Sequence, residues 1–265
     1  MEFEVIKASE LVVVKEAAFK NIKDTISDFD SISLDEMNEV ALMKRKDTKF
    51  ITGLTHVNRI LDQLKDTHRI VEIDGNRIMD YTSLYFDTPN FKFYNDHHNG
   101  RFNRTKIRQR KYEVSDLTFL EIKQKNGRGE TQKSRIQIDD FETELSERSL
   151  KFIEETTNKN YKLSPSLWSR FKRMTLVNLE DKERITVDIL ISYSFNKKEK
   201  DVHNIAIFEV KQSKFDRKSL VVQTLKNFNY NPYSVSKYCI GAAKLNAKLK
   251  YNLFKKKFLR INKLR

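Results

Sequence analysis

The chain has 265 residues, 38% hydrophobic and 33% charged, and carries a net charge of +14. That length suits one large domain or one domain with appendages, and the apolar content is enough for a core, which excludes global disorder. The single cysteine, Cys239, excludes an internal disulfide framework and a Cys-rich metal site. No apolar run approaches the ~20 residues a membrane helix needs. Met1-Glu2-Phe3-Glu4 lacks the basic start of a secretory signal, so a cytoplasmic protein is expected.

In chain order, residues 1–40 mix acids, lysines and apolar residues in a helical rhythm. Ser31-Ile32-Ser33-Leu34 followed by Asp35 and Glu36 reads as a capped helix start. Gly53 breaks the pattern after Thr48-Lys49-Phe50-Ile51-Thr52, and Val57, Ile60, Leu61 and Leu64 then recur at helical spacing. From about residue 68 to 213 the period changes to two. Strands are expected at 68–74, 77–86, 103–114, 118–126, 130–138, 169–179, 183–193 and 203–213. Asp74-Gly75-Asn76, Thr88-Pro89-Asn90, Asn99-Gly100 and Asn126-Gly127-Arg128-Gly129 supply turns. A helix is expected near 145–158, and helical spacing returns from 216. The last 22 residues, 244–265, hold nine Lys/Arg and no acid. The division expected is a helical segment at 1–40, a main domain at 41–243 and a basic tail at 244–265.

The strands carry an unusual charged face. Arg104, Lys106, Arg108 and Arg110 share one face of the 103–114 strand, because alternate residues of a strand point the same way. Glu121, Lys123 and Lys125 share a face of the next strand, opposite Leu120 and Ile122. The same split sets Lys133 and Arg135 against Ile136 and Ile138, Arg184 and Asp188 against Ile185 and Val187, and Glu209 and Lys211 against Phe208 and Val210. Two architectures satisfy this pattern: an antiparallel sheet with a solvated charged face, or a barrel with the charges inward and helices over its apolar outside. Periodicity does not separate them. Four like charges in a row are costly on a free surface, and a bound polyanion relieves that cost.

Five segments in order resemble the VTC domain, the polyphosphate polymerase branch of the CYTH-like triphosphate tunnel superfamily. They are Arg45-Lys46-Asp47-Thr48-Lys49-Phe50; Tyr85-Phe86-Asp87-Thr88; Lys106-Ile107-Arg108-Gln109-Arg110; Phe119-Leu120-Glu121-Ile122-Lys123 with Lys133-Ser134-Arg135; and Phe208-Glu209-Val210-Lys211 with Ser236-Lys237-Tyr238. The resemblance spans about residues 40–242. It implies an α+β fold, an antiparallel eight-stranded β-barrel with surrounding helices, whose basic walls hold a triphosphate or a polyphosphate chain. It further implies an enzyme, an ATP–polyphosphate phosphotransferase that adds the γ-phosphoryl of ATP to a growing chain with a divalent metal, Mn²⁺ or Mg²⁺. By motif position, Arg108, Arg110, Lys123 and Lys237 take catalytic roles. Lys49, Lys133, Arg173 and Arg184 take phosphate, and Glu209 takes the metal.

The match has departures. The hydrolytic tunnel enzymes begin with Glu-x-Glu-x-Lys, and the same register here reads Arg45-Lys46-Asp47-Thr48-Lys49. The loss of the first acid favours the polymerase over a triphosphate hydrolase of the same fold. Phe50 and Phe171 stand where tyrosine is expected in many relatives.

The chemistry suits these residue types. Phosphoryl transfer needs in-line positioning and charge neutralisation, which guanidinium and ammonium groups supply. A hard divalent ion needs few carboxylates when phosphate oxygens complete its shell. Glu121 and Asp188 are read as residues that orient arginines, and Asp87 as one that closes a turn. His97 and His98 are read as surface histidines, and Cys239 as a small core residue. The competing readings are the hydrolase, a non-catalytic polyphosphate or nucleotide sensor, and a nucleic-acid binder; no base-reading motif supports the last. In the tail, Leu245, Leu249, Phe254, Phe258, Ile261 and Leu264 suggest one apolar stripe on a basic helix. Such a helix suits an anionic membrane surface or a membrane protein partner; packing on the barrel is the alternative.

Overall fold

The computed structural model of the chain describes residues 8–39, 46–128 and 130–264. Arg45, Gly129 and Arg265 therefore lie outside the described residues. Helix α1 (Ala8–Ser27) leads to a short strand β1 (Ser31–Ile32) and helix α2 (Leu34–Glu39). Ser33 caps α2 as the sequence suggests: its hydroxyl accepts from the Glu36 N–H at 3.2 Å, and Glu36 accepts from the Ser33 N–H at 2.9 Å. Strand β2 (Lys46–Gly53), helix α3 (Val57–Asp62) and strands β3 (Arg69–Val71) and β4 (Met79–Asp87) follow. Next come helix α4 (Lys92–His98), strands β5 (Arg104–Tyr112), β6 (Leu117–Lys125) and β7 (Thr131–Ile138), and helix α5 (Glu147–Thr157). Two long strands, β8 (Ser164–Asn178) and β9 (Glu183–Phe195), precede β10 (Lys198–Val202) and β11 (Ile205–Gln212). Helices α6 (Leu220–Asn227), α7 (Lys237–Leu245) and α8 (Lys255–Lys263) end the described chain.

Eight strands pair in the order β2-β11-β9-β8-β4-β5-β6-β7, antiparallel throughout. The sheet curls so that its charged face is concave and its apolar face is covered. Of the two architectures the alternation allows, the chain adopts the one with the charges inside, as a curled rather than a closed barrel, since β2 and β7 at the ends of the order do not pair with each other. Phe50, Met174, Ile185, Val187, Phe208 and Val210 pack outward against Ile22 and Ile26 of α1, Ile60 and Leu61 of α3, and Val221, Val222 and Leu225 of α6. Leu84, Ile107, Leu120 and Ile122 pack outward near Ile153 of α5. Burying these aliphatic side chains stabilises by roughly 1.5–3 kcal/mol each.

One end of the concave face is filled rather than open. Ile51, Tyr85, Leu167, Ile191, Tyr193 and Ile207 pack there on Tyr238, Cys239 and Ala242 of α7. The seating is close. A Cβ added at Gly241 would stand 2.7 Å from Leu167 Cδ2 and would also collide with the Tyr193 ring, so only glycine lets α7 approach. A bulge helps shape this region. Arg170 pairs with Ser192 and Lys172 with Ile189, leaving one more residue on β9, where Leu190 adopts a left-handed φ of 50°.

Several expectations change. Strand β2 is not anticipated by alternation, because Phe50, Ile51 and Thr52 are buried in succession. Strand β10 escapes because Lys198-Glu199-Lys200-Asp201 is polar and exposed on both faces of a hairpin edge. The basic tail is not one helix. Lys244 and Leu245 finish α7, and residues 246–251 turn before α8. Its apolar stripe is also spent: Leu245, Leu249, Phe254 and Ile261 are buried in the α7 cluster, with Phe258 and Leu264 packed against it. The stripe that suggested a membrane surface faces the protein's own core. His98 is buried, not a surface residue; its ring stacks on Tyr94, and Nε2 accepts from the Leu253 N–H at 3.3 Å. Asp87 does close its turn, accepting from the N–H groups of Thr88, Phe93 and Tyr94 at 2.7–2.9 Å and from the Tyr238 hydroxyl. Cys239 is a buried core residue.

Candidate functional site: a basic cavity inside the curled sheet

The concave face encloses a cavity of about 470 Å³. Its walls carry Lys49 from β2, Lys106, Arg108 and Arg110 from β5, Lys123 from β6, Lys133 and Arg135 from β7, Arg173 from β8, Lys211 from β11 and Lys237 from α7. Against these ten cations stand three carboxylates in the lining: Asp47, Glu121 and Glu209. The excess follows in part from the strand period, which aims Lys106, Arg108 and Arg110 of β5, and Lys133 and Arg135 of β7, at the same space.

The cations are held by specific partners. Arg108 donates to Glu121 Oε2 from Nε at 2.7 Å, with Nη2 at 2.6 Å from the same oxygen, and to the Tyr85 hydroxyl at 3.3 Å. Arg173 grips Asp188 through two parallel bonds, at 2.6 and 2.9 Å, and Lys237 contacts the same carboxylate. Lys49 of β2 pairs with Glu209, its direct partner in the ladder. Lys106 donates to Ser236 Oγ at 3.0 Å, and Lys211 to Thr186 Oγ1 at 3.2 Å. Arg110, only 6% exposed, donates to Ser83 Oγ at 3.3 Å. Ser236 is the N-cap of α7, so the positive end of that helix adds to the cavity's field.

Phe171 has a structural use here. It stacks on Tyr81 with the rings 5° from parallel, and Arg110, Arg173 and Lys237 lie over its face at 5.7, 5.4 and 4.3 Å from the centroid. An aromatic floor attracts cations without neutralising them. It holds the three charged heads in place and adds no anion to the one carboxylate, Asp188, that Arg173 and Lys237 share.

The titration of these groups reflects the crowding. Burial acts to raise the pKa of Glu121, but Arg108 and Arg110 outweigh it and hold the carboxyl at about 2. Burial likewise acts against ionised Glu209, and Lys49 and Lys211 overcome it, keeping the group well below the usual carboxylate range. Asp188 is pulled down by Arg173 and Lys237 against its burial. Burial lowers Lys211 to about 7, despite the opposing pull of Glu209. Burial, with Lys133 and Lys106 beside it, lowers Lys123 to about 8. Burial also lowers Lys237 to about 8, against the pull of Asp188. These carboxylates are thus fixed as anions and make weak bases, while three lysines sit near their titration point.

Of the nine sequence-selected residues, eight meet in this cavity: Arg108, Arg110, Lys123, Lys237, Lys49, Lys133, Arg173 and Glu209. Arg184 does not line it. It lies at the start of β9, and its guanidinium donates to the Met37 carbonyl of α2 at 3.2 Å. Glu121 and Asp188 orient arginines, as expected. The cavity adds Lys106, Arg135, Lys211 and Tyr85 to the sequence selection. Two-residue spacing from Arg108, Lys133 and Glu209 was the available signal for the first three.

A divalent ion can be tested against the donors present. Asp47 and Glu209 lie on adjacent antiparallel strands two ladder positions apart and face the same cavity. Two carboxylates with phosphate oxygens as further ligands suit Mg²⁺ or Mn²⁺. No group of three or more His, Cys, Asp and Glu side chains that could hold a metal alone occurs among the described residues.

The curled antiparallel sheet with a cation-lined interior is the triphosphate tunnel fold. The chain belongs to the VTC domain family, whose model matches residues 44–246. No curated protein matches the chain. Among solved structures it is similar to a protein from Hippeastrum, a proposed adenylyl cyclase with a dominant triphosphatase activity. The TM-score is 0.50 and the identity 17%, over 80% of this chain and 99% of that one. It is also similar to a proposed adenylate cyclase of Bacillus halodurans, with TM-score 0.47 and 14% identity over 73% and 96% of the two chains.

Proposed function

We propose that the protein is a polyphosphate polymerase, which moves the γ-phosphoryl of ATP onto the end of a polyphosphate chain lying in the cavity and releases ADP. The observation that carries this reading is the cavity wall itself: ten cations from seven elements face three carboxylates. Such a wall suits a ligand with repeated negative charges along its length. Arg108 and Arg110 would clamp phosphate oxygens through paired N–H donors, as guanidinium groups do. Lys237 and Arg173, steadied by Asp188 and Phe171, would meet the charge that spreads over the transferring group. Lys49, Lys123 and Lys133 would neutralise the rest of the chain.

Glu209 and Asp47 would hold a divalent ion, which when bound would supply positive charge against the phosphate chain. The cavity lining contains no histidine, Glu121 and Glu209 are held as weak bases, and a bound polyanion would favour the charged forms of Lys211, Lys123 and Lys237, which are then not bases. A water nucleophile needs a base; the anionic end of a phosphate chain does not. That contrast favours transfer to a chain over hydrolysis. The test is incubation of the purified protein with ATP and Mn²⁺, followed by separation of products. Phosphate polymer with ADP is the expected result. Orthophosphate with ADP would replace the reading by the hydrolase, and tight binding without turnover by a sensor.

A further inference from the structure

The tail turns its apolar stripe inward, yet its outer side is not a plain polar surface. In α8, Lys255, Lys256, Leu259 and Lys263 are all exposed, and helical spacing puts them on one side of the helix. Leu259, 51% exposed, sits among the three lysines. In the turn before α8, Tyr251 and Leu253 are 51% and 59% exposed, and Lys248 and Lys250 are exposed ahead of them. This turn adjoins the end of α4, where the Leu253 N–H meets His98. On the loop that leaves α4 stands Phe102, at 74% the most exposed large apolar side chain among the described residues.

Single exposed leucines are ordinary on a protein surface; a cluster edged by charge of one sign is not. Residues 244–265 contain no acid. Among the described residues no carboxylate lies within 4 Å of the ammonium groups of Lys248, Lys250, Lys255, Lys256 or Lys263. Neighbouring elements do not offset this charge. Asp96 of α4 holds Lys92 at 2.6 Å, and β10 sets Lys198 and Lys200 against Glu199 and Asp201. Lysines around exposed leucine and aromatic tips suit a partner with anions at its face and hydrocarbon just below. An anionic lipid bilayer is such a partner: lysine heads meet headgroup phosphates, and apolar tips enter between them. A nucleic acid would take the lysines and leave Leu253 and Leu259 in water.

We propose that the outer side of the tail, with Phe102 beside it, docks the protein on an anionic lipid surface. Lys248, Lys250, Lys255, Lys256 and Lys263 meet the headgroups, and Tyr251, Leu253, Leu259 and Phe102 enter the interface. No described helix is long and apolar enough to cross a bilayer, and the contact inferred is peripheral. Residues 248–263 lie beyond the 44–246 that the family model matches, so this surface is not part of the matched domain. The inference is independent of what the main cavity binds.

The experiment measures co-sedimentation of the full chain with vesicles of phosphatidylcholine alone and of phosphatidylcholine mixed equally with phosphatidylglycerol. One variant carries Lys255→Gln, Lys256→Gln and Lys263→Gln; a second carries Leu253→Ser and Leu259→Ser. Controls with the same losses carry Lys20→Gln, Lys151→Gln and Lys218→Gln, or Leu150→Ser and Leu179→Ser, all exposed residues on other elements. Wild type should bind the mixed vesicles at low salt, with little binding to phosphatidylcholine alone. The lysine variant should bind roughly a hundredfold more weakly, at about fivefold per lysine. The leucine variant should bind about tenfold more weakly, and each control should stay within about threefold of wild type. All variants should keep the wild-type Tm, since every replaced side chain is exposed. Absent binding to mixed vesicles at low salt would overturn the inference. So would a charge control that loses as much as the lysine variant, which would mean diffuse attraction by the net charge. A leucine variant that binds as wild type would also overturn it, leaving a purely ionic surface of the kind that suits nucleic acid.

Discussion

Lys133 Nζ of β7 and Asp47 Oδ2 of β2 lie 3.9 Å apart, although their strands are the first and last of the eight-strand order. The sheet therefore curls far enough for its two edges to meet through side chains. The seam is ionic, and a phosphate chain entering beside it would compete for Lys133. Asp47→Asn should accordingly tighten metal-free tripolyphosphate binding, by roughly 0.5–1 kcal/mol for a partly exposed pair. Calorimetry reads the sign directly, and weaker binding would show that Asp47 organises the site rather than opposing the ligand.

Arg108 and Glu121 form a pair whose two roles separate by mutation. Arg108→Ala removes a charge-assisted contact worth roughly 1.5–3 kcal/mol of phosphate binding. It also leaves Glu121, half-buried, without its guanidinium partner. Arg108→Ala should therefore lower both Tm and affinity. Adding Glu121→Gln should recover most of the Tm and none of the affinity. Recovery of affinity in the double variant would mean that Arg108 serves stability alone.

The pH response has two limbs. Glu121 and Glu209 have folded pKa values below the usual 4.5. Their contribution to stability is present above about pH 4.5 and is lost as pH falls toward 2, so the metal-free protein should lose Tm steeply in that window. On the other limb, Lys211 and Lys123 titrate at about 7 and 8. A bound polyanion favours their charged forms, so binding at pH 8 should take up protons. Titrations in buffers of different ionisation enthalpy measure this, and zero uptake would contradict neutral lysines in the empty cavity.

The tail should prove structural. Leu249, Phe254 and Ile261 are buried, the Tyr94 hydroxyl donates to the Lys250 carbonyl at 2.8 Å, and Asn204 donates to the Ile261 carbonyl at 2.7 Å. Truncation after Leu245 removes all of these. Three buried apolar side chains represent roughly 5–9 kcal/mol, a large share of a domain's stability. The truncated chain should aggregate or melt far below the full chain. An unchanged Tm would return the tail to the role of a free basic arm.

Much of this was legible in the sequence. Strict alternation on residues 104–110 and 119–125 marks both the strands and the charged face, because β5 and β6 have one wet and one dry side. The motif order then brings Lys49, Arg173, Glu209 and Lys237 to the same cavity. What was not legible depends on contacts remote in sequence. Lys49 meets Glu209 across 160 residues, and Arg184, outside the cavity, donates to the Met37 carbonyl of α2, 147 residues away. Phe171 reads as a missing phenol until Arg110, Arg173 and Lys237 are seen over its ring. The tail's apolar residues are buried, but on α7, a turn and α8 rather than as one stripe on one helix, and helical spacing alone identifies neither the break nor the α7 cluster they join.

The central claim is that the cavity holds a chain of phosphates, and a crystal of the protein soaked with tripolyphosphate tests it most directly. The account predicts density inside the curled sheet, with phosphate oxygens on Arg108, Arg110, Lys106 and Lys237. Density confined to the outer surface, or an empty cavity at a concentration that saturates binding in solution, would contradict it.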